Sequence, residues 1–170
     1  MSRSARLLAT LLASAAMLAM LAGPATATVP SKKAPPACAD GTKGAAVKAM
    51  KAAYNTVLNG TTGLTLAQKT SAIQDFDDPA FQALFAMIAQ QEASMLATTS
   101  VQVNTVTCAS KKSANVKYTL VLSGKPTPNL APPGNAVVYE NMWRVSKSTI
   151  CDLFSLLNPS IATSGPCATP

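Results

Sequence analysis

The chain has 170 residues, with 14 Lys and Arg against 7 Asp and Glu, four Cys and no His. Without an imidazole, Ser-His and Cys-His nucleophiles and His-ligated metals are excluded. The net charge of +7 is scattered, with no run longer than Lys32-Lys33 or Lys111-Lys112, so it describes a mildly basic soluble surface rather than a nucleic-acid footprint.

Arg3 and Arg6 precede Leu7 to Ala22, a run of Leu, Ala and Met relieved only by Thr10 and Ser14. Gly23-Pro24 ends that run, and Ala25-Thr26-Ala27 supplies the small residues a signal peptidase requires. Residues 1–27 therefore read as a secretory signal peptide cut after Ala27. The apolar core is shorter than the roughly 20 residues that span a bilayer, so no stable membrane anchor is expected after cleavage. Leu21-Ala22-Gly23 would lead into a lipid-modified Cys, but the next residue is Pro24. The expected location is secreted or at the cell envelope.

All four cysteines, Cys38, Cys108, Cys151 and Cys167, follow the cleavage point. An even number in an exported chain implies two disulfides, with three pairings open. Zinc would require closely spaced ligand pairs, and the chain has no CxxC. No metal or cofactor is expected.

Residues 28–41 form a Pro/Lys-rich tether without fixed structure until Cys38 pins it. Helical periodicity starts next, with Val47, Met50, Tyr54, Val57 and Leu58 on one stripe. Asn59-Gly60 is expected to end that helix, with Gly accepting a left-handed backbone. Thr65-Leu66-Ala67-Gln68 has capping-box spacing and predicts a second helix to about Gln74. Asp77-Asp78-Pro79 starts a third, carrying Phe81, Leu84, Phe85, Ile88, Met95 and Leu96.

Beyond Thr98 the period becomes two. Ser100 to Cys108 predicts a strand whose alternation slips near Thr105, the mark of a bulge. Ala114, Val116, Tyr118, Leu120 and Leu122 share one face of a second strand, with Val121 an exception on the other. Gly124 to Asn135 holds four prolines and reads as a stiff exposed loop. A hairpin follows around Glu140-Asn141, with Trp143 and Val145 on one face. Ser148 is expected to cap a last helix burying Ile150, Leu153, Phe154 and Leu157, ended by Asn158-Pro159.

This order predicts an α+β domain over 42–158, with N-terminal helices packed on a curved antiparallel sheet of about four strands and a C-terminal helix. Residues 159–170 form a tail held by a disulfide. Several stretches carry a family resemblance: the helix ending in Asn59-Gly60, Leu66-Ala67-Gln68-Lys69-Thr70, the alternation from Ala114 to Gly124, and Trp143-Arg144-Val145-Ser146 followed by Ser148, Cys151 and Leu153. In this order they resemble the low-molecular-weight secreted antigen family of mycobacteria and related actinobacteria. The resemblance covers about residues 44–157 and departs at Glu140-Asn141-Met142, where a Gly-containing turn is expected. It implies a cone-shaped fold like that of nuclear transport factor two, a secreted habit, and no catalytic motif. It also implies a Cys151–Cys167 bridge, leaving Cys38 with Cys108.

Candidate chemistry is sparse. There is no G-x-S-x-G elbow, no Ser three residues before a Lys, and no phosphate-cradling Gly loop. The acidic cluster Asp75, Asp77 and Asp78 reads as a helix cap rather than a calcium site. Met50, Tyr54, Phe85, Tyr118 and Trp143 are candidates to line a cavity in a cone fold, although an ordinary core uses the same residues at the same spacing. The expectation is a non-catalytic secreted domain that acts by binding in the medium or at an envelope component. A carrier of a small apolar or lipid ligand is the alternative.

Overall fold

The computed structural model describes residues 34–163 and 165–168. The chain divides into Met1–Ser31 and Lys32–Pro170, and every described element belongs to the second unit. The signal peptide, its cleavage point and the start of the tether lie outside the described residues.

Helix α1 spans Ala45–Leu58 and buries Val47, Met50, Tyr54 and Val57, the stripe set by its 3.6-residue period. A short 3-10 turn, Gly60–Thr62, follows. The left-handed residue is Gly63 (φ 66°), not Gly60 as the sequence suggested. Gly60 serves another purpose, because a Cβ there would overlap the Leu96 carbonyl. Its missing side chain lets two backbone segments meet.

Helix α2, Leu66–Thr70, starts with a complete capping box: Thr65 Oγ1 accepts from the Gln68 amide, and Gln68 Oε1 accepts from the Thr65 amide. It stops well short of Gln74. The chain leaves the helix so that Ile73 can bridge Val145 in parallel. Helix α3, Pro79–Gln91, is capped by Asp78 with Pro79 in its first turn. The expected continuation to Leu96 is instead a separate helix α4, Ala93–Ala97, which turns at Glu92 and passes over Gly60.

Strands β1 (Thr99–Ser110), β2 (Ser113–Leu122), β4 (Gly134–Tyr139) and β5 (Met142–Val145) form an antiparallel sheet in that order. Strand β1 shifts register between Val103 and Thr105, where the sequence alternation slips. The proline-rich loop is not wholly irregular. Lys125–Thr127 forms a three-residue strand, β3, paired with Leu120–Leu122 along the edge of β2 that β4 uses further back. Val121, opposite Pro126 in this pairing, is buried despite its polar-face position.

The β4–β5 turn places Glu140 and Asn141 at φ 48° and 60°, so two left-handed residues make the hairpin without glycine. Glu140 bonds Arg144, tying the strained residue to the strand it introduces. Arg144 itself is buried, against the outward position that alternation gives it. The Ala72–Gln74 segment lies along the β5 edge, and the Ile73 carbonyl accepts from Arg144 Nη1 (3.3 Å). The guanidinium also stacks 5.1 Å from the Tyr139 ring centroid.

Helix α5, Lys147–Leu157, is capped by Ser146, two residues before the expected Ser148. Two 3-10 turns, Pro159–Thr163 and Gly165–Cys167, complete the described chain.

The sheet curls so that α1 packs against both edge strands, β1 and β5. The segment before α1 spans the gap. Pro36 O accepts from Trp143 Nε1 on β5 (2.9 Å), while Gly41 exchanges both backbone hydrogen bonds with Val106 on β1. Exposed strand edges invite pairing with other chains, and both edges here are covered over part of their length.

Candidate functional site

Two disulfides hold the ends of the domain. Cys38–Cys108 fastens the N-terminal segment to β1, and Cys151–Cys167 fastens the tail to α5. Among the described residues no cysteine is free, and no group of His, Cys, Asp or Glu could hold a metal ion.

Asp78 accepts from the Ala80 and Phe81 amides and pairs with Lys147 Nζ at 2.8 Å. That ammonium also lies over the Phe81 ring. The Lys147 bond, reinforced by the two amides, holds the Asp78 carboxyl below its ordinary 3.8. A depressed folded-state pKa stabilises above the unfolded value and is lost as pH falls through the folded one. Asp78→Asn is therefore expected to flatten the loss of stability below about pH 3.8, read by thermal melts across that range.

The structure brings all five candidate lining residues into the core. Met50 and Tyr54 are fully buried at the centre of α1, Tyr118 packs on Tyr54 with ring centroids 5.3 Å apart, and Trp143 faces Pro36. The reason is the sheet's curl, which packs α1 against β1 and β5. Of the five, Phe85 also lines the apolar cavity described next.

That cavity, about 410 Å³, lies beyond the end of α1, where β1 begins and β2 finishes. Val57 and Leu58 form one wall, Phe85 and Ile88 of α3 a second, and Leu153 and Phe154 of α5 a third, with Leu120 and Leu122 as floor. Met95 and Leu96 of α4 close over it. The position of α4 depends on the close approach at Gly60, so one glycine sets the wall opposite the sheet.

The mouth is unusual. Leu66, Leu130, Leu156 and Leu157 are each more than 40 % exposed, and all four line the opening. Leu157, expected inside, is one of them. Scattered exposed leucines require no explanation, but these four share the lining of one apolar pocket.

Polar groups in the lining are few. Thr99 Oγ1 is committed to the Met95 carbonyl at 2.8 Å. Lys69 of α2 is the one charged lining residue, and its Nζ donates to the Asn59 carbonyl at 3.1 Å. Desolvation lowers the Lys69 pKa below its ordinary 10.5. Nothing in its local pattern marks Lys69, which reads as an ordinary polar position within α2.

The fold and cavity define a small disulfide-bonded α+β domain with an open apolar pocket. A family model described as the C-terminal domain of low molecular weight antigen MTB12 matches residues 43–160, and the chain belongs to that family. No curated protein and no solved structure matches the chain.

Proposed function

We propose that this is an extracytoplasmic, non-catalytic carrier that holds a small apolar molecule in the cavity beyond α1. The observation that carries the reading is a cavity of about 410 Å³ lined almost wholly by aliphatic and aromatic side chains and rimmed by exposed leucines. Ligand pockets occupy roughly 300–1,000 Å³ and are mostly apolar, with a few polar groups to orient the guest. Burying a guest's alkyl chain gains about 0.8 kcal/mol per methylene, or roughly fourfold in affinity for each.

The two disulfides and the antigen family support an oxidising extracytoplasmic setting. No helix among the described residues is long and apolar enough to cross a membrane. A signal peptide removed after Ala27 accounts for the export. The non-catalytic reading rests on the lining, where no nucleophile, acid or base faces another across the space.

Native mass spectrometry of protein purified from culture medium tests this reading. The expected spectrum shows a mature chain beginning at Thr28, two disulfides, and a stoichiometric non-covalent adduct lost on solvent extraction. Repeatedly empty protein, with no uptake of an added alkyl alcohol, would overturn it.

A further inference from the structure

We infer that the guest is a single-chain amphiphile with a monoanionic carboxylate head, seated at Lys69 with its tail along the apolar walls. This deepens the carrier reading and rests on it.

Lys69 is the one charge in the pocket lining and has no anionic partner among the described residues. An ammonium carries three donors, and the structure commits one, to the Asn59 carbonyl. The salt bridges among the described residues are Arg144–Glu140 and Lys147–Asp78, and Lys69 is in neither. No Asp or Glu lines the cavity. A cation half withdrawn from water beside an apolar wall carries a desolvation penalty that an anionic guest relieves, and the lowered pKa of Lys69 has that cause.

The charge of the lining selects the head. One positive charge, with N–H groups left over after the Asn59 contact, is balanced by the single charge of a carboxylate. A phosphate dianion would leave most of its acceptors facing leucine and phenylalanine, and no arginine lines the pocket to meet it. A neutral alcohol would use one donor and leave the charge unpaired. The guest therefore points its head towards α2, with its tail between α3, α4 and α5.

Titration calorimetry of the oxidised, delipidated protein with laurate and with dodecan-1-ol tests this pairing. The two probes have equal tails and differ in head charge. The expected result is laurate bound about tenfold more tightly, with the difference shrinking as salt rises. Lys69→Met and Lys69→Gln are expected to bring the two affinities together, whereas Lys69→Arg keeps the preference.

Equal affinities in the unaltered protein, or a preference that survives in both neutral variants, would overturn the assignment while leaving the carrier intact. Failure of both probes to bind removes the carrier reading and this one together. Thermal melts establish that each variant is folded. Should both neutral variants unfold, the acid-to-alcohol ratio of the unaltered protein decides alone.

Discussion

Replacing Cys38 and Cys108 by serine is expected to lower unfolding free energy by about 4 kcal/mol, the larger of the two disulfide effects. The bridge closes a sequence separation of 70 residues, whereas Cys151–Cys167 closes 16. Chain-entropy arguments give about 4 kcal/mol for a loop of the first length and about 3 for the second. A small domain is stable by only about 5–15 kcal/mol, so either loss is large.

The first bridge also has a local consequence. It anchors the segment whose Pro36 carbonyl receives the indole N–H of Trp143, the chain's single tryptophan. In the double variant, emission from Trp143 should move to the red as water reaches the ring. Denaturant titration followed by fluorescence reads both effects, and an unchanged midpoint would contradict the strap across the curled sheet.

The second large effect is expected at Tyr54. Its ring is fully buried against Tyr118, and its hydroxyl donates to the Asn135 carbonyl at 3.2 Å. Gly134 lies so close that a Cβ there would collide with the Tyr54 hydroxyl, Thr149 and the Tyr118 ring. Thr149 in turn accepts from the Asn135 amide at 2.7 Å, tying α5 to β4 at this point.

Tyr54→Ala therefore opens a cavity where α1, β2, β4 and α5 converge, and should cost about 4 kcal/mol. Tyr54→Phe removes only the hydrogen bond and should cost about 1 kcal/mol. Tyr118→Phe makes the opposite case. The Tyr118 hydroxyl is buried without a hydrogen-bond partner, so removing it should leave stability unchanged or raise it by up to about 1 kcal/mol. Equal losses for the two Tyr→Phe variants would show that the hydroxyl arrangement is wrong.

Local signals account for much of the fold. The apolar stripe of α1, the Thr65–Gln68 box, the Asp78-Pro79 start and the alternation of β2 each act within a few residues, and each appears where its chemistry places it. The misplaced features depend on partners distant in sequence. Helix α1 does end before Asn59-Gly60, but Gly60 is required by the approach of Leu96 rather than by a left-handed backbone. Arg144 alternates outward until the Ala72–Gln74 segment covers the β5 edge.

The pocket was hidden for the same reason. Met50, Tyr54, Val57 and Leu58 lie on one stripe of α1, yet the first two fill the core and the last two line the cavity. Periodicity identifies the buried face of a helix but not where the sheet beneath it ends. Lys69 carried no signal either, because its place in the lining depends on where α2 sits in the fold.

Methyl-selective NMR of the oxidised protein titrated with dodecan-1-ol gives the most direct reading of the cavity's role. Methyl groups of Ile88, Leu96, Leu122 and Leu153 should shift together and saturate at one equivalent, while those of Met50 and Val116 in the core stay in place. Shifts confined to the leucines at the rim, or none at saturating alcohol, would mean that the space beyond α1 does not receive a guest.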